Sequence, residues 1–175
     1  MLFSSVSPSW QKRHVSAMLT VVGRALAAAS RTDAEIRREI RAFPSGLEIE
    51  MKVLPAGPGF RLKVTPEGEL TLIKPSPSKA DLVIGWKHLS HAFLALTFQE
   101  STARSFANDR LIADGSVDHA VRLVRCLNRL ESLILPRFLA RLAVKRYPDD
   151  LGLREKSLAA TRICALSLTS LLPWK

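Results

Sequence analysis

His88 and His91 stand three residues apart in a stretch with helical periodicity, so their rings share a face at the spacing of two metal ligands. A divalent site needs three or four ligands, and no cysteine or carboxylate cluster lies near them in sequence to complete one. The pair therefore reads as two polar residues on a helix, and no metal is expected. Asp109, Asp114 and Asp118 could supply acid–base groups around a short strand. Beside Asn108 and Gly115 they fit turn and capping roles better. Cys126 and Cys164 have no C-x-x-C partner and no adjacent histidine, so they read as buried, reduced thiols of a cytoplasmic protein; a disulfide between them is the alternative. No G-x-S-x-G elbow, phosphate-binding glycine loop or dinucleotide glycine pattern occurs. Nothing in the chain resembles a catalytic centre, and neither an enzymatic activity nor a cofactor is expected.

The elements that hold these residues follow from periodicity. Residues 1–10, with four serines and a proline, read as a loose start. Val15, Met18, Leu19, Val22, Leu26 and Ala29 are spaced for one face of a helix over 12–29. Lys12 and Arg13 ahead of this apolar run and its alanines have the order of a signal peptide, but Arg24 interrupts the run and the helical spacing favours a folded helix. Thr32 or Asp33 caps a short charged helix ending near Arg41.

The period then changes to two. Leu47, Ile49, Met51 and Val53 make one half-buried strand, Phe60, Leu62 and Val64 a second, Leu70 and Leu72 a third, with Pro/Gly turns between them. The run from Ala80 to Trp86 is more continuously apolar and reads as a strand near the sheet centre. Helices follow over 87–98 and 101–108, then a short strand over 110–114 closed by Gly115. Ser116 caps a long helix over 117–135, ended by Pro136. An amphipathic segment from Arg137 to Lys145 and a final helix over 153–172 complete the chain. The fold class is α+β: an antiparallel-rich mixed sheet of about five strands covered by amphipathic helices. No segment reaches the roughly 18 apolar residues needed to span a bilayer.

The net charge is +10 and the isoelectric point about 10.3, which suits an anionic partner. The charge is uneven: seven Lys/Arg against three Asp/Glu in residues 1–45, eight against nine in 46–118, and eleven against four in 119–175. The terminal parts are therefore expected to face the anion.

The stretch from Ala80 to Pro136 resembles the sterol-carrier-protein type-two domain family. The resemblance is carried by Ala80-Asp81-Leu82-Val83-Ile84, by Leu89 to Leu96, by Asp109-Arg110-Leu111-Ile112-Ala113-Asp114-Gly115, and by Ala120-Val121-Arg122-Leu123. The strands from Leu47 to Lys74 fit those that precede this pattern in the family. Within it, the arrangement is most similar to bacterial accessory lipid carriers of ubiquinone biosynthesis. Ser116 departs from the acidic residue that relatives commonly carry after the closing glycine, and serine caps a helix equally well. The resemblance implies a helical N-terminal extension over 1–45, a lipid-binding domain over 46–135 and a basic helical tail over 136–175, forming one unit.

It also implies an apolar tunnel holding an isoprenoid or other apolar lipid. The residues placed to line it are Phe60, Leu62, Leu82, Ile84, Leu89, Phe93, Leu96, Phe106, Leu123, Leu127 and Leu130. A dry apolar cavity takes up an apolar ligand through burial worth about 25 cal/mol per Å². Such a carrier must touch a bilayer. Arg137, Arg141, Lys145 and Trp174 are the residues suited to dock on an anionic membrane surface, peripheral at the inner membrane. Other ubiquinone-biosynthesis proteins are the implied protein partners. Two alternatives remain: a basic nucleic-acid-binding module, supported by the arginines of residues 116–146 but lacking aromatic stacking surfaces, and an enzyme acting on small acyl or isoprenoid substrates, resting on a pocket alone.

Overall fold

The structure, a computed structural model, describes residues 7–134. The first helix, α1 (Pro8–Thr32), starts earlier than the apolar spacing suggests. Ser7 accepts the amide of Trp10 at its N-cap and Pro8 occupies the first turn, where a missing amide proton costs nothing. The expected loose start is thus already helical from Pro8. α1 ends at Asp33, which caps α2 (Ala34–Ile40) by accepting the amides of Glu35 and Ile36 at 3.0 and 2.9 Å.

The strands are β1 (Glu48–Val53), β2 (Gly59–Val64), β3 (Leu70–Ile73), β4 (Leu82–Trp86) and β5 (Leu111–Asp114). Helices α3 (Leu89–Leu96) and α4 (Thr102–Ala107) lie between β4 and β5, and α5 (Val117–Ile134) follows. The sheet order is β3-β2-β1-β4-β5; β1 is central, antiparallel to β2 and parallel to β4, while β2–β3 and β4–β5 are antiparallel. The class is α+β with a five-stranded mixed sheet among the described residues, and β4 lies beside the central strand.

Residues directly opposite one another share a sheet face. Ile49 faces Leu62 and Leu82, Met51 faces Phe60 and Ile84, and Val53 faces Trp86. One face is therefore apolar across its width. α1 packs over β2 and β3, and α3 and α5 over β4. Gly23 permits the close approach of α1: a Cβ there would stand 2.9 Å from the Phe60 ring. Each leucine fully buried in this layer contributes about 1.5–3 kcal/mol.

The opposite face carries Glu48, Glu50, Arg61 and Lys63, and the segment between β3 and β4 is tied to it. Arg61, 1% exposed, donates to the carbonyls of Ser76 and Ser78 at 3.0 and 2.8 Å and pairs with Glu48 at 2.8 Å. At the end of β5, Gly115 has φ +136°, and a Cβ there would lie 2.5 Å from the Asp81 carbonyl oxygen. Only glycine fits where that chain turns under β4.

Candidate functional site

The apolar layer between the sheet and its helices is the candidate site. β2 contributes Phe60 and Leu62 and β4 contributes Leu82 and Ile84, held side by side on one face through β1. α5 contributes Leu123, Leu127 and Leu130, and α3 contributes Phe93; all eight are buried in one contiguous cluster. Leu89 and Leu96 are half-buried against it. Phe93 meets the ring of Trp10 edge-on at 5.8 Å and that of His14 at 5.5 Å, and Trp10 stacks on His14 at 5.2 Å. An apolar tunnel is not shown by this packing.

Phe106 does not join the others. It is 58% exposed on α4, where the adjacent Ser105 is fully buried. The cause is Glu100, a buried carboxylate that accepts hydrogen bonds from Ser105 (2.9 Å), Asn108 (2.8 Å) and Arg110 (3.1 Å). Those bonds turn the Ser105 side of α4 inward and send Phe106 to solvent. Although burial works against it, the bonds from Asn108, Ser105 and Arg110 hold the Glu100 carboxyl below the usual range.

Trp86 belongs to the site and was absent from the expected lining. It continues the alternation of Leu82 and Ile84 by one more step and is 3% exposed, so the same period-two pattern locates it. The membrane-docking candidates Arg137, Arg141, Lys145 and Trp174 lie outside the described residues, as do Cys164 and the segments expected to be helical after Pro136.

The polar candidates are engaged in structural contacts. Asp109 pairs with Lys87 (2.6 Å), Asp114 with Lys79 (2.8 Å) and Asp118 with Arg122 (2.9 Å). The hydrogen bond from Arg122 holds the Asp118 carboxyl below its ordinary range. The rings of His88 and His91 meet edge-on at 5.2 Å. Burial, then the charges of Arg110 and His88, lower the His91 pKa. No group of three His, Cys, Asp or Glu among the described residues could hold a metal.

The arginines of α5 are also engaged. Arg122 and Arg125 reach Glu39 at 3.1 and 3.4 Å, and Arg129 reaches Asp33 at 3.1 Å and Glu35 at 3.3 Å. Asp33, Glu35 and Glu39 thus pair with the three arginines of α5, part of the 116–146 stretch on which a nucleic-acid-binding reading rests. A surface groove open to solvent runs along α1 at Ser9, Lys12, Arg13, Ser16 and Ala17. No helix among the described residues is long and apolar enough to cross a membrane.

No family model matches the chain, and no curated protein matches it. Among solved structures it is similar to UbiJ-SCP2, a ubiquinone synthesis protein, with 11% identity over 66% of this chain and 94% of the other at a TM-score of 0.45. A conserved hypothetical protein of Thermus thermophilus, suggested to be a sterol carrier protein, gives 14% identity over 71% and 87% at 0.44. The apo form of sterol carrier protein 2 from Yarrowia lipolytica gives 16% over 59% and 83% at 0.39.

Proposed function

We propose that the chain is a non-catalytic lipid-binding accessory protein whose sheet–helix layer takes up an apolar lipid, an isoprenoid quinone precursor of ubiquinone biosynthesis being the ligand suggested by the sequence resemblance. The observation that carries the reading is the apolar sheet face. Side chains from β1, β2 and β4 present an unbroken apolar surface to α1, α3 and α5. The helices that cover that surface are amphipathic and can shift by side-chain repacking to admit a ligand. The acid–base candidates Asp109, Asp114 and Asp118 are taken up in ion pairs, which supports a binding role over acid–base chemistry at those positions. Loading and unloading take place at an anionic membrane, with Arg137, Arg141, Lys145 and Trp174 as docking residues.

Native mass spectrometry of the full chain, followed by lipid extraction, tests the reading. A co-purifying isoprenoid lipid is the expected result. A chain that carries no lipid, and that takes up none from vesicles containing isoprenoid quinone, would refute it.

A further inference from the structure

Six buried side-chain atoms have no hydrogen-bond partner among the described residues: His14 Nε2, Arg37 Nε, Arg61 Nε, Trp86 Nε1, His91 Nδ1 and Glu131 Oε2. Arg37 and Arg61 lie outside the apolar cluster, and their guanidinium groups are held through other N–H groups, by the Arg31 carbonyl and by the Ser76–Ser78 segment. A histidine can carry its proton on either nitrogen. Glu131 can take up a proton, and burial pushes its pKa up to about 7. Trp86 has no such recourse. An indole N–H is a donor only; it neither titrates nor tautomerises. A buried donor without an acceptor carries its full desolvation cost, so an acceptor brought from outside is rewarded.

The surroundings define that acceptor. Trp86 faces Val53 on one side and Leu111 on the other, and shares its row with Leu82 and Ile84. Among the described residues, no cation stands in this row. The next residue, Lys87, is held at the surface by Asp109 at 2.6 Å. An anionic headgroup would arrive uncompensated, whereas a neutral carbonyl oxygen would not.

We propose that the Trp86 indole N–H is the polar anchor of the lipid site, donating to a neutral carbonyl oxygen of a ketone, ester or quinone lipid whose hydrocarbon lies against Leu82 and Ile84. This rests on the lipid-binding reading above and adds the chemical class of the ligand.

The test uses delipidated full-length protein, a bound fluorescent fatty-chain probe, and two competitors of equal length, a long-chain methyl ketone and the corresponding alkane. The ketone is expected to bind about tenfold tighter than the alkane, as one satisfied buried donor warrants. In Trp86→Phe the preference for the ketone over the alkane is expected to disappear, whatever happens to the affinity for the alkane. If both ligands bind without a ketone preference, or the preference survives in Trp86→Phe, the anchor is wrong and the lipid site stands. If neither binds, the lipid-binding reading fails and takes the anchor with it. A second measurement does not depend on that variant folding. The chain has three tryptophans, so Trp10→Phe and Trp174→Phe leave the Trp86 indole N–H resonance identified by elimination. The ketone is expected to move it downfield and the alkane to leave it in place. A resonance unmoved by saturating ketone overturns the anchor.

Discussion

Arg129 on α5 donates two hydrogen bonds to a single oxygen of Asp33, at 3.2 and 3.1 Å, while the other oxygen of Asp33 caps α2. One side chain thus starts a helix and fastens it to another that lies 96 residues further on. The two jobs separate by substitution. Asp33→Ala removes both and is expected to cost about 2–3 kcal/mol. Asp33→Asn keeps a capping oxygen and loses only the charge, at about 1 kcal/mol. Urea unfolding of the two variants checks the order; equal losses would mean that the cap contributes little.

Arg61 is a buried cation that works as a clamp. Arg61→Ala leaves two serine carbonyls without their donor and Glu48 with Lys63 at 3.5 Å, and is expected to cost about 3–5 kcal/mol. Arg61→Lys should fall between, because one ammonium cannot reach Glu48 and both carbonyls in the plane that a guanidinium spans. Limited proteolysis should show cleavage between residues 74 and 80 rising in both variants. Unchanged cleavage would mean that the segment is held by something other than Arg61.

Glu131 sets a pH dependence. Burial raises its folded-state pKa from 4.5 to about 7, so between those values the folded chain binds more protons than the unfolded one. Stability from this group is therefore full below about pH 4.5 and is lost as pH rises through about 7. The loss between pH 5 and 8 is expected to be on the order of 2–3 kcal/mol. Glu131→Gln should remove it, which paired melts at the two pH values would show. A wild-type chain equally stable at both would contradict it.

Cys126 should be inert. Burial, with Glu39 and Asp33 adding to it, pushes its thiol up to about 12, and only 1% of the residue is exposed. In a Cys164→Ser background the native protein is expected to resist a thiol reagent at pH 8 and to react fully in denaturant. Rapid native labelling would show that α5 opens readily from the sheet.

The strands were legible because alternation is a local signal. Ile49, Met51 and Val53, then Phe60, Leu62 and Val64, declare their buried face within six residues. The same signal found most of the apolar layer and, carried one step further, reaches Trp86. What it could not show is pairing between distant elements. Arg122 meets Glu39 across 83 residues, and in sequence both read as solvated helix charges. Phe106 went astray for the same reason. Its direction is set by the bonds that gather on Glu100 and not by the spacing of apolar residues on α4.

The apolar stripe of α1 has a consequence for biosynthesis. Val15, Leu19 and Leu26 emerge from the ribosome before any of the strands that α1 covers has been made. Ser30 receives the amide of Leu70, so that contact waits for another 40 residues of chain. During that interval the apolar stripe of the nascent helix lacks the strands that cover it in the fold. The lack of acidic residues in α1 and the exposed Lys12 and Arg13 leave it cationic meanwhile, which keeps nascent copies apart by mutual repulsion until β2 and β3 arrive.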